Sequence, residues 1–504
     1  MPLSDDLRDL IEHDTTEAQH LLRGLATALP RSVEARHLLA LSHLRRLEFT
    51  AALTYFRETL TLDPRHDDSL RNVGFCLLAM GDYEGALAAF RHAFKTLSGT
   101  SSLRFVALLC HRLGRIDEAI ATYERLLANC QPTSPEVPVA LQGLAAALRD
   151  AGRPIDADHH IRQLQERFRR EPVGISSGLV TRNSSDDFHE WSAYADKSRL
   201  AAALTARAAA DPAGRFPESF VLPADKAALQ AFAAGPDAPA LYIVKPVRGS
   251  GGQGISVTAD LSGAIARDDV VIQRYLDRPY LIEGRKGHCR IYGLVTSAEP
   301  LRAYVYSEGI VRIAPEPYDP DPARVADPAM HVTNTALHLD HPGLSISQDP
   351  SQEDTGSIRS LSALLGRMTA DGRDGAAAFG EIKQLVAWFV RLLAAEGLFA
   401  RQAASGPARA FAPKLFGLDV LIDADGHPWL IEMQRTPAAR GAPLVDRINA
   451  EMFNTCFRMT HFPLIDDATP PELIAALRTD DTARRRREAE IEATQRGKFV
   501  PLDL

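Results

Sequence analysis

Lys245 ends an apolar β-type run, Leu241-Tyr-Ile-Val244, and Gly249, Gly251, Gly252 and Gly254 follow before a second such run, Ile255–Thr258. Glycines between two antiparallel strands let backbone N–H groups approach an anion closely. A lysine just ahead of them adds a point charge for phosphate. Three commoner phosphate loops fit less well. No Gly-Lys-Ser/Thr closes the stretch, the spacing Gly249-x-Gly251-x-x-Gly254 leads into alternating Ile255 and Val257 rather than a helix, and Lys245 precedes the glycines instead of following them. A second constellation lies far downstream. Phe416–Asp423 and His427–Gln434 read as a hairpin turning at Asp425-Gly426, with Asp419 in its first strand and Glu432 and Gln434 two apart in its second. Period-2 geometry puts Glu432 and Gln434 on one face, and three side-chain oxygens converge if Asp419 faces the same way. Hard oxygens, two of them carboxylates, suit Mg2+ shared with a polyphosphate rather than zinc. The plain alternative is a set of partnered edge charges. An acid after Trp429-Leu-Ile431 is costly to bury alone, which favours a cation nearby.

The elements that must carry these groups differ along the chain. Residues 4–170 are helical and repetitive. Ala18, Ala52 and Ala86 are spaced by 34 residues and Ala119 follows after 33, with Leu22, Phe56, Phe90 and Tyr123 four residues behind each. Ala40, Gly74 and Ala107 recur on the preceding helix, and Gly81–Ala86 and Gly114–Ala119 form the intervening turns. A helix–turn–helix unit of this period resembles the tetratricopeptide repeat, a solenoid that binds along its concave face. The resemblance implies about four repeats plus an N-terminal half unit over 1–170. Arg71, Asn72 and Arg104 are candidates for its groove, with solvated surface as the plain alternative.

A linker is expected at 171–186, then a small lobe at 187–240 with a helix from Asp196 and a short strand between Phe216 and Pro223. Residues 268–315 are strand-rich, and Leu301–Tyr306 with Ile310–Ile313 read as a hairpin turning at Glu308-Gly309. The stretch 343–356 reads as a polar, mobile loop, and helices are expected over 357–368 and 376–396. The core of this half is set at 241–462, and 463–504 is read as a polar tail in which Arg484–Arg487 form a solvated face.

Composition narrows the class. Hydrophobic residues make up 45% and charged residues 24% of 504, ordinary values for a globular chain of two or three domains. With 57 basic against 65 acidic residues the net charge is −8, which argues against a nucleic-acid or membrane binder. No signal-like start and no run of about 18 apolar residues is present. The cysteines, Cys76, Cys110, Cys130, Cys289 and Cys456, read as reduced thiols of a cytoplasmic protein.

Taken in order, the motifs of residues 190–462 resemble the tubulin–tyrosine ligase family of the ATP-grasp superfamily. They are Ile243-Val-Lys-Pro246 with Gly252-Gln-Gly-Ile255; Gln273-Arg-Tyr-Leu276; Pro279-Tyr-Leu-Ile282 with Gly284-Arg-Lys286 and Arg290; Leu294-Val-Thr-Ser297; and Tyr306–Arg312 with Glu316-Pro-Tyr318. His331-Val-Thr-Asn334, Gly417-Leu-Asp419 and Pro428–Glu432 complete the series. The resemblance implies an α+β ATP-grasp domain behind the all-α array, with ATP and Mg2+ as cofactors. Lys245, Gly251, Gly252, Gln253, Gly254, Ile255, Lys286 and Thr333 would hold the nucleotide, and Gln273, Arg274, Tyr275 and Leu276 would form the hinge around its base. Lys245, Lys286, Arg290, Arg312 and Asn334 would serve the chemistry, and Asp419, Glu432 and Gln434 the metal.

The implied reaction phosphorylates a carboxylate with ATP, and the amine of a free amino acid then displaces phosphate. Such chemistry needs charge neutralisation and alignment more than a nucleophilic side chain. Two departures stand out. Gly287 and His288 occupy the place of the family's Phe-Asp, and Gln434 that of its Asn. The leading expectation is an amino-acid ligase acting on a peptide or protein presented by the helical array. The alternatives are a small-molecule or natural-product peptide substrate, and a nucleotide-binding scaffold without turnover.

Overall fold

The structure, a computed structural model, describes residues 15–45, 48–97, 99–131, 134, 136–170, 193–206, 214–247, 251–321, 324–398, 413–434, 442–466 and 469–504. The described residues form two compact units. One contains the helices up to Arg170 together with His461–Ala489; the other contains the residues from 193 to Thr460 together with Glu490–Leu504.

The first unit is all helix: α1 (Thr15–Ala28), α2 (Val33–Arg45), α3 (Phe49–Leu62), α4 (Asp67–Ala79), α5 (Tyr83–Leu97), α6 (Thr100–Arg112), α7 (Ile116–Asn129), α8 (Glu136–Asp150) and α9 (Pro154–Arg170). The repeat positions explain the packing. Ala52, Ala86, Ala119 and Ala157 are fully buried, and Phe56, Phe90 and Tyr123 fill the space one turn on. A small residue is needed opposite them, because a Cβ on Gly74 would lie 2.7 Å from the Phe90 ring. Gly81, Gly114 and Gly152 follow α4, α6 and α8 at φ of +78°, +75° and +73°, the left-handed helix stop that recurs once per repeat. Of the groove candidates, Arg71 pairs with Asp67 and Asp68. Arg104 pairs with Glu136 at 3.1 Å while lying over the Phe105 ring.

The segment read as a polar tail is folded. Asp158, almost fully buried on α9, accepts from the amides of Leu464 at 2.9 Å and Ile465 at 3.0 Å. Arg149 donates to the Phe462 carbonyl, Gln165 to that of His461 and Arg162 to that of Ile465. Helix Pro471–Thr479 continues from this segment, so the last repeat ends on a cap, as an array with an exposed apolar end requires. Arg487 in the basic run bonds the Leu464 carbonyl, and Arg484 and Arg485 pair with Asp481.

The second unit holds two antiparallel sheets. The smaller runs β1 (Ser219–Val221), β4 (Val270–Arg274), β2 (Tyr242–Pro246), β3 (Ser256–Thr258) in spatial order. The larger runs β10 (Pro428–Gln434), β9 (Lys414–Ile422), β6 (Arg285–Ala298), β7 (Leu301–Ile313), β11 (Phe499–Pro501), with β5 (Leu281–Ile282) on β6 and β8 (Ile358–Ser360) on β7. Alternation sorts the larger sheet's faces. Cys289, Ile291 and Val295 of β6 and Leu418 and Val420 of β9 join the core with Ile382, Leu385, Phe389 and Leu393 of the helix Gly375–Ala395. Lys286, His288 and Arg290 point the other way, as period 2 demands.

The hairpin expected at Glu308-Gly309 is not formed. β7 runs straight through these residues and pairs with β6, and the ladder breaks between Ile291 and Gly293. The glycine marks a bulge in place of a turn: a Cβ on Gly309 would meet the Arg290 carbonyl at 2.6 Å, and Glu308 folds back to accept from the amides of Gly309 and Ser362. A turn the sequence did not reveal lies at Glu283-Gly284, where both residues have positive φ. The loop 343–356 is likewise pinned, by mutual bonds between Ser345 and Ser357 and by Glu353, which bonds Ser360 and Arg447.

Candidate active site

The glycine-rich turn lies where the sequence implied, between antiparallel β2 and β3, which pair from Tyr242↔Thr258 to Val244↔Ser256. Gly249 falls outside the described residues. Gly251 to Gly254 form the turn, and Gly252, at φ +89°, passes so close to Val332 and Asn334 that a Cβ would sit 3.0 and 3.1 Å from them. The turn is thereby set against Asn334.

Lys245, Ile255, Gln273, Arg274, Tyr275, Leu276, Lys286, Thr333, Asn334, Asp419 and Glu432 line one cavity. Lys245 and Glu432, nearly two hundred positions apart in sequence, thus face a common space. Gly251, Gly252, Gln253 and Gly254 adjoin the cavity without lining it, as do Arg290, Arg312 and Gln434. Arg290 and Gln434 act one layer out, on Asp419. Arg312 stands opposite His288 in the β6–β7 register.

The oxygen trio is assembled by a bulge. Leu430 pairs with Val420 but Glu432 pairs with Asp419, so Ile431 is the extra residue that brings the two acids side by side. Arg290 is the next residue in the same row, opposite Asp419 on β6. Its guanidinium donates Nε to Asp419 Oδ1 and an Nη to Oδ2 at 3.1 Å, and Gln434 Nε2 donates to Oδ2 at 3.1 Å. Burial alone would push the Asp419 carboxyl up, but Arg290, joined by His288 and Arg312, holds the group well below the usual carboxylate range. Glu432 goes the other way. Burial raises it, the attraction of Lys197 and Lys245 offsets this only in part, and Asp419 adds to the rise.

Opposite the carboxylates stand two buried lysines. Lys245 Nζ donates to Gln273 Oε1 at 2.8 Å, and Gln273 is held by Ser219 at 2.7 Å. Lys286 Nζ donates to the Tyr275 hydroxyl at 2.9 Å, which also bonds His331 Nδ1 at 2.7 Å. Burial lowers Lys245 to about 8, and burial with repulsion from Lys245 lowers Lys286 to about 7. A desolvated ammonium without a full counter-charge is costly, and a phosphate chain would supply that charge.

The arrangement fits a triphosphate with a hard cation. Among the described residues no group of three or more His, Cys, Asp or Glu side chains gathers to hold a metal by itself. Asp419 and Glu432, with the amide oxygen that Gln434 turns away from Asp419, fit a cation completed by phosphate oxygens.

Sequence reasoning missed Lys197, whose Nζ lies 4.0 Å from Glu432, because Asp196-Lys-Ser-Arg looked only like a helix start. It also missed the cavity's apolar walls, Ile243, Leu421 and Ile431, and gave no role to His288 or His331, which line the cavity too. Strand alternation at Lys286, His288 and Arg290 was the one signal that could have placed His288.

Residues 183–470 match the tubulin-tyrosine ligase family, 12–93 the anaphase-promoting complex, cyclosome, subunit 3 family, and 76–135 a tetratricopeptide repeat. Tubulin polyglutamylase TTLL5 of Homo sapiens is 32% identical over 271 residues, covering 53% of this chain and 21% of that protein. Tubulin polyglutamylase ttll-5 of Caenorhabditis elegans is 31% identical over 255 residues, 50% of this chain and 35% of its own length. Tubulin monoglutamylase TTLL4 of Mus musculus is 31% identical over 251 residues, 49% and 21%. The chain thus spans only a fifth to a third of these relatives. With the family's match running through both sheets and the cavity between them, the chain belongs to the tubulin-tyrosine ligase family, with tetratricopeptide repeats ahead of the catalytic fold.

Proposed function

We propose that the chain is an ATP-dependent ligase that joins the amine of an amino acid to a carboxylate of a peptide or protein. The observation that carries this reading is the cavity itself, where Lys245 and Lys286 face Asp419 and Glu432. The polyglutamylases among its relatives make glutamate the first amino acid to try.

In the proposed reaction an oxygen of the acceptor carboxylate bonds to the γ-phosphorus of ATP as the bond to ADP breaks. The amine nitrogen then attacks the acyl carbon, and phosphate leaves with the proton that the nitrogen loses. Mg2+, held by Asp419, Glu432 and Gln434, would supply charge neutralisation along the phosphates. Lys245, next to the glycine turn, and Lys286, next to the hinge tyrosine, bind phosphate oxygens and regain full charge in doing so. Gln273 and Tyr275 keep each ammonium aimed into the cavity. Arg290 acts through Asp419, holding it ionised, and Arg312 is assigned to the incoming carboxylate. The helical array, whose four helical pairs end on the Asp158 cap, is proposed to present the polypeptide acceptor.

The test incubates purified protein with ATP, Mg2+ and labelled glutamate, then other amino acids, with and without polypeptide from host lysate. Label entering polypeptide with matching ADP release, lost in Lys245→Ala, supports the reading. Nucleotide binding without turnover under every condition would leave a scaffold in its place.

A further inference from the structure

Where the family resemblance implies an aspartate, this chain has His288. It is only 5% exposed and lines the cavity from β6, two residues from Lys286 and two from Arg290 on the same strand face. Its Nδ1 is hydrogen-bonded to the hydroxyl of Thr333. Its Nε2 is buried with no hydrogen-bond partner, since the nearest carboxylate oxygen, Asp419 Oδ1, lies 3.9 Å away, beyond hydrogen-bond reach. Most polar side chains around it are satisfied without a ligand: Lys245 by Gln273, Lys286 by Tyr275, and Asp419 by Arg290 and Gln434. Among the described side chains lining the cavity, His331 Nε2 shares this condition, but its ring belongs to the hinge side through Tyr275.

Thr333 locates the ring within the cavity. Thr333 adjoins Asn334, and Asn334 contacts Gly252 of the glycine turn, so the His288–Thr333 pair stands on the phosphate side of the cavity. With the Thr333 hydroxyl donating to Nδ1 the ring's proton lies on Nε2, and with Thr333 accepting it lies on Nδ1. In the first arrangement Nε2–H is an unpartnered donor in the cavity that Lys245 and Lys286 also line. A carboxylate at this place could offer nothing but an acceptor.

We propose that His288 is a direct phosphate-binding residue, donating Nε2–H to a triphosphate oxygen, with Thr333 as the positioning residue that fixes the donor tautomer. The inference rests on the nucleotide reading of the cavity. It makes this chain's phosphate grip one hydrogen-bond donor richer and one anion poorer than an aspartate would.

The test is calorimetric titration of the full chain with ATP and Mg2+, and separately with adenosine. His288→Ala is expected to weaken ATP roughly tenfold, equivalent to about 1.4 kcal/mol, and to leave adenosine unchanged. His288→Gln, whose amide nitrogen can take the place of Nε2, should recover most of the loss. Thr333→Val should weaken ATP less than His288→Ala and shift the imidazole nitrogen resonances away from the Nε2–H tautomer, which a structural role alone would not do. Unchanged ATP affinity in His288→Ala, or equal losses for ATP and adenosine, overturns the proposal. Wild-type protein that binds no ATP at all overturns the nucleotide reading as well, which keeps the two failures distinct.

Discussion

At the scale of single residues, two buried lysines, a buried aspartate and the half-buried Glu432 set the behaviour of the cavity. A lysine with a folded pKa below its unfolded 10.5 leaves the unfolded state binding more protons in the interval between. Lys286 at about 7 and Lys245 at about 8 therefore destabilise the ligand-free fold most below pH 7, and the cost is relieved as pH rises toward 10. Melting temperature of the ligand-free chain is expected to climb on this account from pH 7 to 9. In the proposed reaction ATP binds through both charged lysines, so it should bind with proton uptake in the same window, seen as heats that vary with buffer ionisation enthalpy. The acids should separate stability from catalysis. Asp419→Asn strands the buried Arg290 charge and should cost about 3–5 kcal/mol in urea unfolding. Glu432→Gln removes a carboxylate that burial already disfavours, so stability should hold or rise while kcat falls about a hundredfold or more. Lys245, Asp419 and Glu432 were legible because glycines and strand period flag them locally. Lys197 was not, since its meaning comes from Glu432, 235 positions away.

At the scale of elements, the larger sheet decides which residues meet. Period 2 along β6 puts Lys286, His288 and Arg290 on one face and Cys289 and Ile291 in the core, which the sequence could have given. The bulges it could not give. Gly309 reads locally as a turn, and only the approach of the Arg290 carbonyl shows why a glycine must sit inside a continuous strand. Gly309→Ala is expected to cost about 1–3 kcal/mol through the shift it forces on β6, with a matching loss of turnover because that strand carries Arg290. Thermal unfolding beside ADP release will show whether the two fall together. The extra Ile431 in β10 is a similar case, since an apolar run gives no sign of where its register slips.

At the scale of the whole molecule, the last residues contribute to both units. Within the sheet unit, Glu492 is buried and accepts from Thr296, Arg302 and Tyr304, while β11 pairs with β7 from Phe499↔Tyr306 to Pro501↔Tyr304. Glu492→Ala should therefore cost on the order of 3 kcal/mol, read from chemical unfolding. A fragment spanning 173–462 should melt well below one spanning 173–504, since it lacks both this anchor and an edge strand. A polar composition made the segment look like a tail because its partners lie in strands far back in the chain.

The sequence by itself determined the helical repeat, through a period that repeats its packing residues, and the family, through short motifs that need only their neighbours to be read. The tertiary structure alone decided that Glu432 abuts Asp419, that His288 lines the cavity with an unpartnered nitrogen, and that the C-terminal residues cap one unit and edge the other. Each of these depends on pairing between distant strands or helices. Local propensity carries no record of which distant residue will arrive opposite, and burial then fixes what that encounter does to charge.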